Sequence, residues 1–244
     1  MEPAEYAVMR AAEDGHWWYR GLRGVVRLHW DRHVAAPRPR LLDVGCGTGA
    51  NLAALAPRSE PAGVDVSPLA IAACRARGLP ATLAASADRL PFADAAFDVV
   101  LSCDVLGHRS LPDPLVPLRE MARVLAPGGL VLLNLAAHRW LLSRHDEAYG
   151  QDKRYDRAGV RRLLAAAGFE VLAATYWNGL LFPAAAAARL WRRGGRGREG
   201  SDLAVASGAG ASGVLDAVLA AERGLLRLTP LPVGLSVFAV GRVR

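Results

Sequence analysis

Three carboxylates and a run of alternating glycines are the residues of this chain best suited to chemistry. Asp43 stands two residues before Gly45-Cys46-Gly47-Thr48-Gly49, Asp65 ends the next apolar run, and Asp88 lies in Ala87-Asp88-Arg89-Leu90-Pro91-Phe92. Glycines have no Cβ, so such a loop can lie flat against a ligand. Asp65 follows the loop by about 20 residues, the offset at which an acidic side chain takes a ribose diol. Asp88, with Arg89 beside it, is placed to accept from an adenine exocyclic amine. A dinucleotide loop is the competing reading, because Gly45-x-Gly47-x-x-Ala50 also fits that fingerprint. Asp43 tells against it, since a carboxylate there would repel a pyrophosphate but hold a cationic amino group, directly or through water. One carboxylate for an ammonium, one for a ribose and one for an adenine describe S-adenosylmethionine. Cys46, Val66 and Cys103 border the same positions and are counted with Asp43, Gly45, Gly47, Gly49, Asp65, Asp88 and Arg89 as cofactor-binding candidates. Cys46 and Cys103 read as small packing residues there, not nucleophiles.

The elements that must hold these residues alternate in type. Residues 15–34 suit an amphipathic helix with a dense aromatic start at Trp17, Trp18 and Tyr19, broken by the prolines at 37 and 39. Leu41–Val44, Ala62–Val66, Ala81–Ala84, Phe97–Ser102 and Leu130–Leu135 read as short buried strands. Helices are expected from Ala50, from Pro68 with Ser67 as N-cap, and over Pro114–Leu125, closed by Pro127-Gly128-Gly129. Asp156 caps a further helix that stops at Gly168, and Phe169–Trp177 and Leu235–Val243 are the last two strands. This rhythm predicts an α/β fold with a mostly parallel sheet and helices on both faces. Residues 178–234 separate the last two strands. They hold an alanine run, an arginine-glycine segment, a small-residue linker and a helix over Val214–Leu228. A structureless loop of that length is unusual, so the segment is expected to form its own layer or cap.

Composition narrows the classes. The 244 residues are 52% hydrophobic and 22% charged, which excludes wholesale disorder. The net charge of +7 is nearly all arginine, with Lys153 the only lysine. That pattern, joined to heavy alanine use, reads as coding-sequence bias and not as a nucleic-acid footprint. Cys46, Cys74 and Cys103 have no CxxC spacing, which argues against a disulfide framework or a structural zinc. The acidic, polar start has no signal-peptide pattern, so a cytoplasmic setting is expected.

The ordered set of motifs resembles the class I S-adenosylmethionine-dependent methyltransferases of the small-molecule type. It is carried by Leu42-Asp43-Val44-Gly45-Cys46-Gly47-Thr48-Gly49, Gly63-Val64-Asp65-Val66-Ser67, Asp88-Arg89-Leu90-Pro91-Phe92, Phe97-Asp98-Val99-Val100 and Arg123-Val124-Leu125-Ala126-Pro127-Gly128-Gly129. The resemblance implies a Rossmann-like seven-stranded sheet whose last two strands form an antiparallel hairpin, here carrying the 178–234 insert. It divides the chain into a helical cap (1–39), a cofactor-binding core (40–177) with a lid near 138–155, the helical insert (178–234) and the final strand (235–244). The outer parts are similar to a subset with His16-Trp17-Trp18 near the start and His145-Asp146…Arg154-Tyr155 after the fifth strand.

That resemblance implies methyl transfer to an oxygen or nitrogen of a small-molecule acceptor, for which a natural product is one candidate. Transfer from a sulfonium is an in-line displacement governed by positioning. A hydroxyl or ammonium acceptor must also lose a proton, and histidine is the natural base near neutral pH. His145, flanked by Asp146, ranks first; His138, nearer the strand end, second; His108, after the fourth strand, third. No metal is expected, because the His and Asp spacing is poor in carboxylates. Trp17, Trp18, Tyr19, Arg154 and Tyr155 are acceptor-binding candidates, although the aromatic cluster could equally pack on the sheet. Two alternatives stay open. One is a lipid-linked acceptor at a membrane surface, reached through an interfacial element at 180–193. The other, with less in its favour, is an RNA methyltransferase. A monomer and a homodimer are both compatible with the sequence.

Overall fold

The computed structural model describes residues 3–142, 146, 149–193 and 209–244. Seven strands form one sheet: β1 (Arg40–Val44), β2 (Glu60–Asp65), β3 (Thr82–Ala84), β4 (Phe97–Cys103), β5 (Leu125–Ala136), β6 (Phe169–Trp177) and β7 (Ser236–Val243). Their order is β3-β2-β1-β4-β5-β7-β6. The first five strands pair in parallel, and β7 runs antiparallel between β5 and β6. This is the expected Rossmann-like methyltransferase architecture with its reversed last strand.

The period of two along each strand separates two cores. Leu41, Val99, Leu101, Leu132 and Phe238 face α2 (Trp17–His33), which contributes Leu22, Val25, Val26 and Trp30. Leu42, Val100, Val131 and Leu133 face the other side, against Leu118 and Met121 of α5 (Leu115–Val124) and Val160 and Leu164 of α6 (Arg157–Ala166). Strands apolar on both faces are what a parallel sheet covered by helices requires. The remaining helices of the sequence's first half are α1 (Pro3–Ala12), α3 (Ala50–Leu55) and α4 (Pro68–Ala76).

The structure corrects several expectations. β5 starts at Leu125, directly out of α5; Phe97 pairs with Leu125 and Val99 with Leu130, so the Pro127-Gly128-Gly129 turn bulges out within the strand's span. Ser67 caps α4 only through its backbone, because its N–H donates to Asp65 Oδ1 at 2.9 Å while its hydroxyl makes no cap bond. Residues 1–39 are not one cap. α1 covers the glycine loop, whereas α2 is a layer of the core that lends Trp17, Trp18, Tyr19 and Leu22 to the site.

The insert contributes α7 (Phe182–Arg193) and α8 (Ala209–Leu228). α8 lies on α2, where a Cβ on Gly21 would fall 2.4 Å from Leu219 Cδ1. Glycine at 21 is therefore what lets the helices approach so closely. Arg20 Nε donates to Asp216 Oδ1 at 3.0 Å, and Arg32 Nη2 to the Arg227 carbonyl at 2.8 Å. The segment is thus a further layer of the same body.

Glu222 of α8 is 1% exposed and pins the end of β6. Its carboxylate accepts from the backbone N–H groups of Asn178, Gly179 (2.7 Å) and Leu180 (2.9 Å). Three donors depend on one anion, that of Asn178 buried and those of Gly179 and Leu180 part-buried, and a buried donor left unpaired costs about 1–3 kcal/mol. Glu222→Ala should lower unfolding free energy by at least about 2 kcal/mol in urea titration. A variant within about 0.5 kcal/mol of the parent would show that the contact is not structural.

Candidate functional site

The chain leaves β1 through a loop that only glycine permits. Gly45, Gly47 and Gly49 have φ of +75°, +52° and +87°. A Cβ on Gly45 would lie 2.2 Å from Val105 Cγ2, and one on Gly47 2.9 Å from Met9 Cε. The loop is therefore pressed between the exit of β4 and helix α1. Gly45 N and Cys46 N both donate to the Val64 carbonyl, at 2.8 and 2.9 Å, which fastens the loop to β2.

Asp65 ends β2 with both oxygens engaged. Oδ2 accepts from Gly47 N at 3.0 Å, and Oδ1 accepts from Ser67 N at 2.9 Å and from the Tyr6 hydroxyl at 3.3 Å. The Tyr6 phenol is pushed up to about 12, chiefly by burial and then by Asp65. At the end of α1, Glu13 is 3% exposed and accepts from Thr48 Oγ1 and Arg77 Nη2. Arg77 Nε in turn donates to the Thr48 carbonyl at 2.9 Å. Helix α1 is thus clasped onto the glycine loop from both ends.

A cavity of about 500 Å³ opens from this loop. Gly45, Cys46, Gly47, Asp65 and Val66 form one side, with Ala85, Ser86 and Ala87 from the turn after β3. Cys103, Asp104 and His108 come from the end of β4. Trp17, Trp18 and Tyr19 make an aromatic wall, and Asp146, Tyr149 and Arg154 close it from the segment after β5. Asn178 and Ala185 of the insert complete the wall. Trp18 packs edge-on against Tyr19 at 5.0 Å and lies 5.9 Å from Trp177.

Not every candidate reaches this wall. Asp43 is 1% exposed on β1 and is absent from the cavity lining. Its Oδ2 is buried with no hydrogen-bond partner, and its pKa is pushed up to about 7, by burial first and then by Asp65. Gly49 turns into α3, against Cys74 and Leu79. Asp88 and Arg89 are exposed on the turn after Ala87, outside the lining. Their neighbours Ala85–Ala87 take that part of the wall.

The proton-transfer candidates separate. His145 lies outside the described residues. His138 faces away from the cavity: with φ of +60° its ring stacks on Tyr176 at 5.2 Å, and it lines a second cleft with Trp140, Tyr155 and Asp156. Tyr155 is also turned from the main cavity, its hydroxyl donating to the Leu106 carbonyl at 2.8 Å. His108 remains on the wall, with its Nδ1 2.7 Å from Ser110 Oγ. Burial holds it below the usual histidine pKa, so it is neutral at pH 7. Asp146 is engaged, accepting from Arg154 Nη2 at 2.6 Å with both side chains under 8% exposed.

Four residues of the site escaped sequence reasoning. Tyr6 and Glu13 act on partners far along the chain, so no local signal marks them. Asn178 is fully buried at φ +57°, and both polar atoms of its side chain lack partners. Asp104, at φ +58°, follows β4 at the carboxyl edge where open α/β sheets bind ligands; the sequence marks that position but assigns Asp104 no role.

A cofactor with a cationic amino group fits these observations. The orphaned Asp43 oxygen is a buried acceptor suited to a cation, and Asp65 lines the cavity beside the glycine loop. Residues 42–133 match the family model for a methyltransferase domain. The demethylmenaquinone methyltransferase of Thermus thermophilus is 40% identical over 121 residues, covering 43% of this chain and 53% of that protein. The ubiquinone biosynthesis O-methyltransferase of Cereibacter sphaeroides is 34% identical over 117 residues, covering 44% of this chain and 47% of that one. The chain therefore spans about half the length of the curated relatives it matches. Among solved structures, the cyclase SpnF superposes with a TM-score of 0.60 at 24% identity, over 93% of this chain and 82% of that one.

Two outcomes follow from the carboxylates. Asp65→Ala should weaken S-adenosylmethionine binding by roughly ten- to a hundredfold in calorimetry, the effect of leaving buried hydroxyls unpaired. Asp43 sets a pH dependence. In the free protein it loses its proton only as pH rises through about 7, so below that pH a cation must expel the proton to bind. Affinity should fall by up to about tenfold per unit as pH drops below about 7, and Asp43→Asn should flatten this slope. The sign for stability is opposite. A folded-state pKa above the unfolded one favours the folded protein at low pH, and that contribution is lost as pH rises through about 7. An affinity flat with pH would remove Asp43 from the cation site.

Proposed function

From its membership of the class I S-adenosylmethionine-dependent methyltransferases, carried by residues 42–133, we propose that this chain transfers a methyl group to an oxygen or nitrogen of a small-molecule acceptor. The observation that carries the reading is one cavity joining the glycine loop and Asp65 to the aromatic wall of Trp17, Trp18 and Tyr19. Gly45, Cys46, Gly47, Asp65, Val66 and Cys103 hold the cofactor, which supplies an activated methyl on a sulfonium; Asp43, behind the wall, serves its ammonium through water, and Gly49 turns the loop into α3. Ala85–Ala87 bound the adenine side, with Asp88 and Arg89 at its outer rim. The acceptor lies against the aromatic wall, Arg154 and Asn178. Asn178 is the group left to bond a polar atom of the acceptor. His108, like His16, is a histidine on the wall and can take a proton. Two relatives are named for steps in quinone biosynthesis, and a flat, largely apolar acceptor would suit this wall equally.

Water exclusion is the second task of these residues. Trp17, Tyr19 and Tyr149 roof the cavity, and burial raises the Tyr19 phenol far above its usual value. A dry site strengthens each interaction with a cationic methyl donor.

A membrane-surface acceptor is the second reading. Trp140, edge-on to Phe182 at 6.1 Å, is 44% exposed, and Leu180 is 49% exposed. No helix among the described residues is long and apolar enough to cross a membrane, so any such contact would be interfacial.

The fold alone does not decide methyl transfer, since a cyclase shares it. The test is production of S-adenosylhomocysteine from S-adenosylmethionine with a panel of phenols, hydroquinones and amines, free and in liposomes. Turnover should require the intact glycine loop and be lost in Gly47→Val, where a side chain meets Met9 at positive φ. Cofactor binding with no transfer to any acceptor would favour a cyclase-like role, and no cofactor binding would refute the proposal outright.

A further inference from the structure

Asp104 and not a histidine is the best-oriented proton acceptor in the cavity. It follows β4, where Cys103 pairs with Asn134 of β5. Its backbone N–H donates to the Asn134 carbonyl at 2.8 Å, and its carbonyl accepts from Gln151 Nε2. These bonds hold a non-glycine residue at φ +58°, a sparsely populated conformation kept only where the surroundings fix it. The side chain is held as firmly. Asn134 Nδ2 donates to Asp104 Oδ2 at 3.0 Å, and Asn134 Oδ1 accepts from Trp177 Nε1 at 2.7 Å. An indole nitrogen can only donate, so the amide oxygen must face Trp177 and the amide N–H must face Asp104. Asn134 and Trp177 are both fully buried, which leaves this amide one orientation. Trp18 of the aromatic wall packs on the same Trp177 at 5.9 Å.

Val105, the next residue, lies against Gly45 of the glycine loop, so Asp104 stands where the cofactor site meets the acceptor wall. We propose that Asp104 is the general base of the proposed methyl transfer, and that the acceptor is a flat, apolar molecule bearing a weakly acidic, phenol-like hydroxyl. This inference rests on the methyltransferase reading above. The acceptor O–H bond breaks with its electron pair left on oxygen, and the proton goes to an Asp104 oxygen. The acceptor oxygen, holding that electron pair, bonds the methyl carbon as the carbon leaves a sulfonium donor, whose bonding pair stays on sulfur. Solvent later removes the proton from Asp104.

Charge and burial support the class of acceptor. The Asp104 carboxyl is pushed up to about 7, chiefly by burial and against the Asn134 hydrogen bond, Arg154 and the Ala136 backbone. Asp146 adds to the rise. Tyr19 of α2, Cys103 beside it, and His108 and Tyr149 on the same wall are the other titratable groups around it. A phenol loses its proton near pH 10, so the gap to such a base is about 3 units, where an ordinary aspartate would leave about 6. Buried Arg154 disfavours a cationic acceptor, and Leu22, Leu111 and Leu235 offer apolar contact.

The test uses the full chain loaded with S-adenosylhomocysteine and 4-nitrophenol as a probe, because its phenol and phenolate absorb at different wavelengths. Bound beside an ionised Asp104, the probe should keep its proton to higher pH. In Asp104→Asn its ionisation midpoint should fall by at least about one unit. Asparagine tolerates positive φ, so that variant should fold, and its melting temperature checks this. Asp104→Glu keeps the charge but moves it, and should recover only part of the shift. If the probe binds with the same midpoint in parent and Asp104→Asn, Asp104 is not beside the acceptor hydroxyl. If S-adenosylhomocysteine binds but the probe does not, the phenol class is wrong and the cofactor reading stands. If S-adenosylhomocysteine itself fails to bind, the methyltransferase reading fails first.

Discussion

The close contact between Gly45 and Val105 organises the rest of the site. The chain must leave β1 and β4 side by side at the carboxyl edge of the sheet, because those strands are paired neighbours. There is no space between the two exits for even one Cβ. A glycine at positive φ is the residue that satisfies both demands. The consequence is functional as well as steric. The glycine loop after β1 and the segment after β4 are brought together by the packing of Gly45 on the Val105 side chain. Asp104 at φ +58° and the three loop glycines are the strained or permissive positions that this packing requires.

Electrostatics explains why such crowding is tolerated. Asp43 and Asp104 are both pushed up to about 7 by burial, so each keeps its proton below that pH and loses it only as pH rises through about 7. Burying an isolated anion is costly, and a raised pKa is how a protein avoids that cost. Asp65 takes the other route, with backbone N–H groups on both oxygens. A cationic ligand reverses the balance by giving the buried carboxylates a partner. The site is thus built to become more stable when a positive charge arrives. The clasp of Tyr6 and Glu13 closes the loop from outside without adding a competing cation to Asp43.

Local signals were legible in the sequence, and long-range pairings were not. The glycine loop, the strand runs and the Asp156 cap each depend on residues within a few positions, and the structure places them as read, with Asp156 Oδ1 accepting from Gly159 N at 2.5 Å. Proximity along the chain misled at His138. It lies at the end of β5, but its positive φ turns the ring onto Tyr176 of β6, away from the cavity. Asp88 shows a similar failure: the motif is in the expected turn, yet small residues beside it form the wall. The roles of Glu13, Asn178 and Glu222 could not be read, because each is defined by partners on another element.

The division of labour within the fold bears on what the relatives can teach. Residues 42–133 carry the family match and include the glycine loop, Asp65, Cys103 and Asp104. The aromatic wall comes from α2 before that span. Asp146, Tyr149, Arg154, Asn178, Ala185 and Leu235 come after it. The rest of the cavity wall is formed by residues outside the matched span, held in place by contacts such as Leu219 on Gly21 and Glu222 on the end of β6. Selection for a new acceptor could rework α2 and the insert without disturbing β1 or β4. The insert's tight attachment to α2 then has a reason: two elements that line one pocket must hold a fixed distance if they are to recognise one shape.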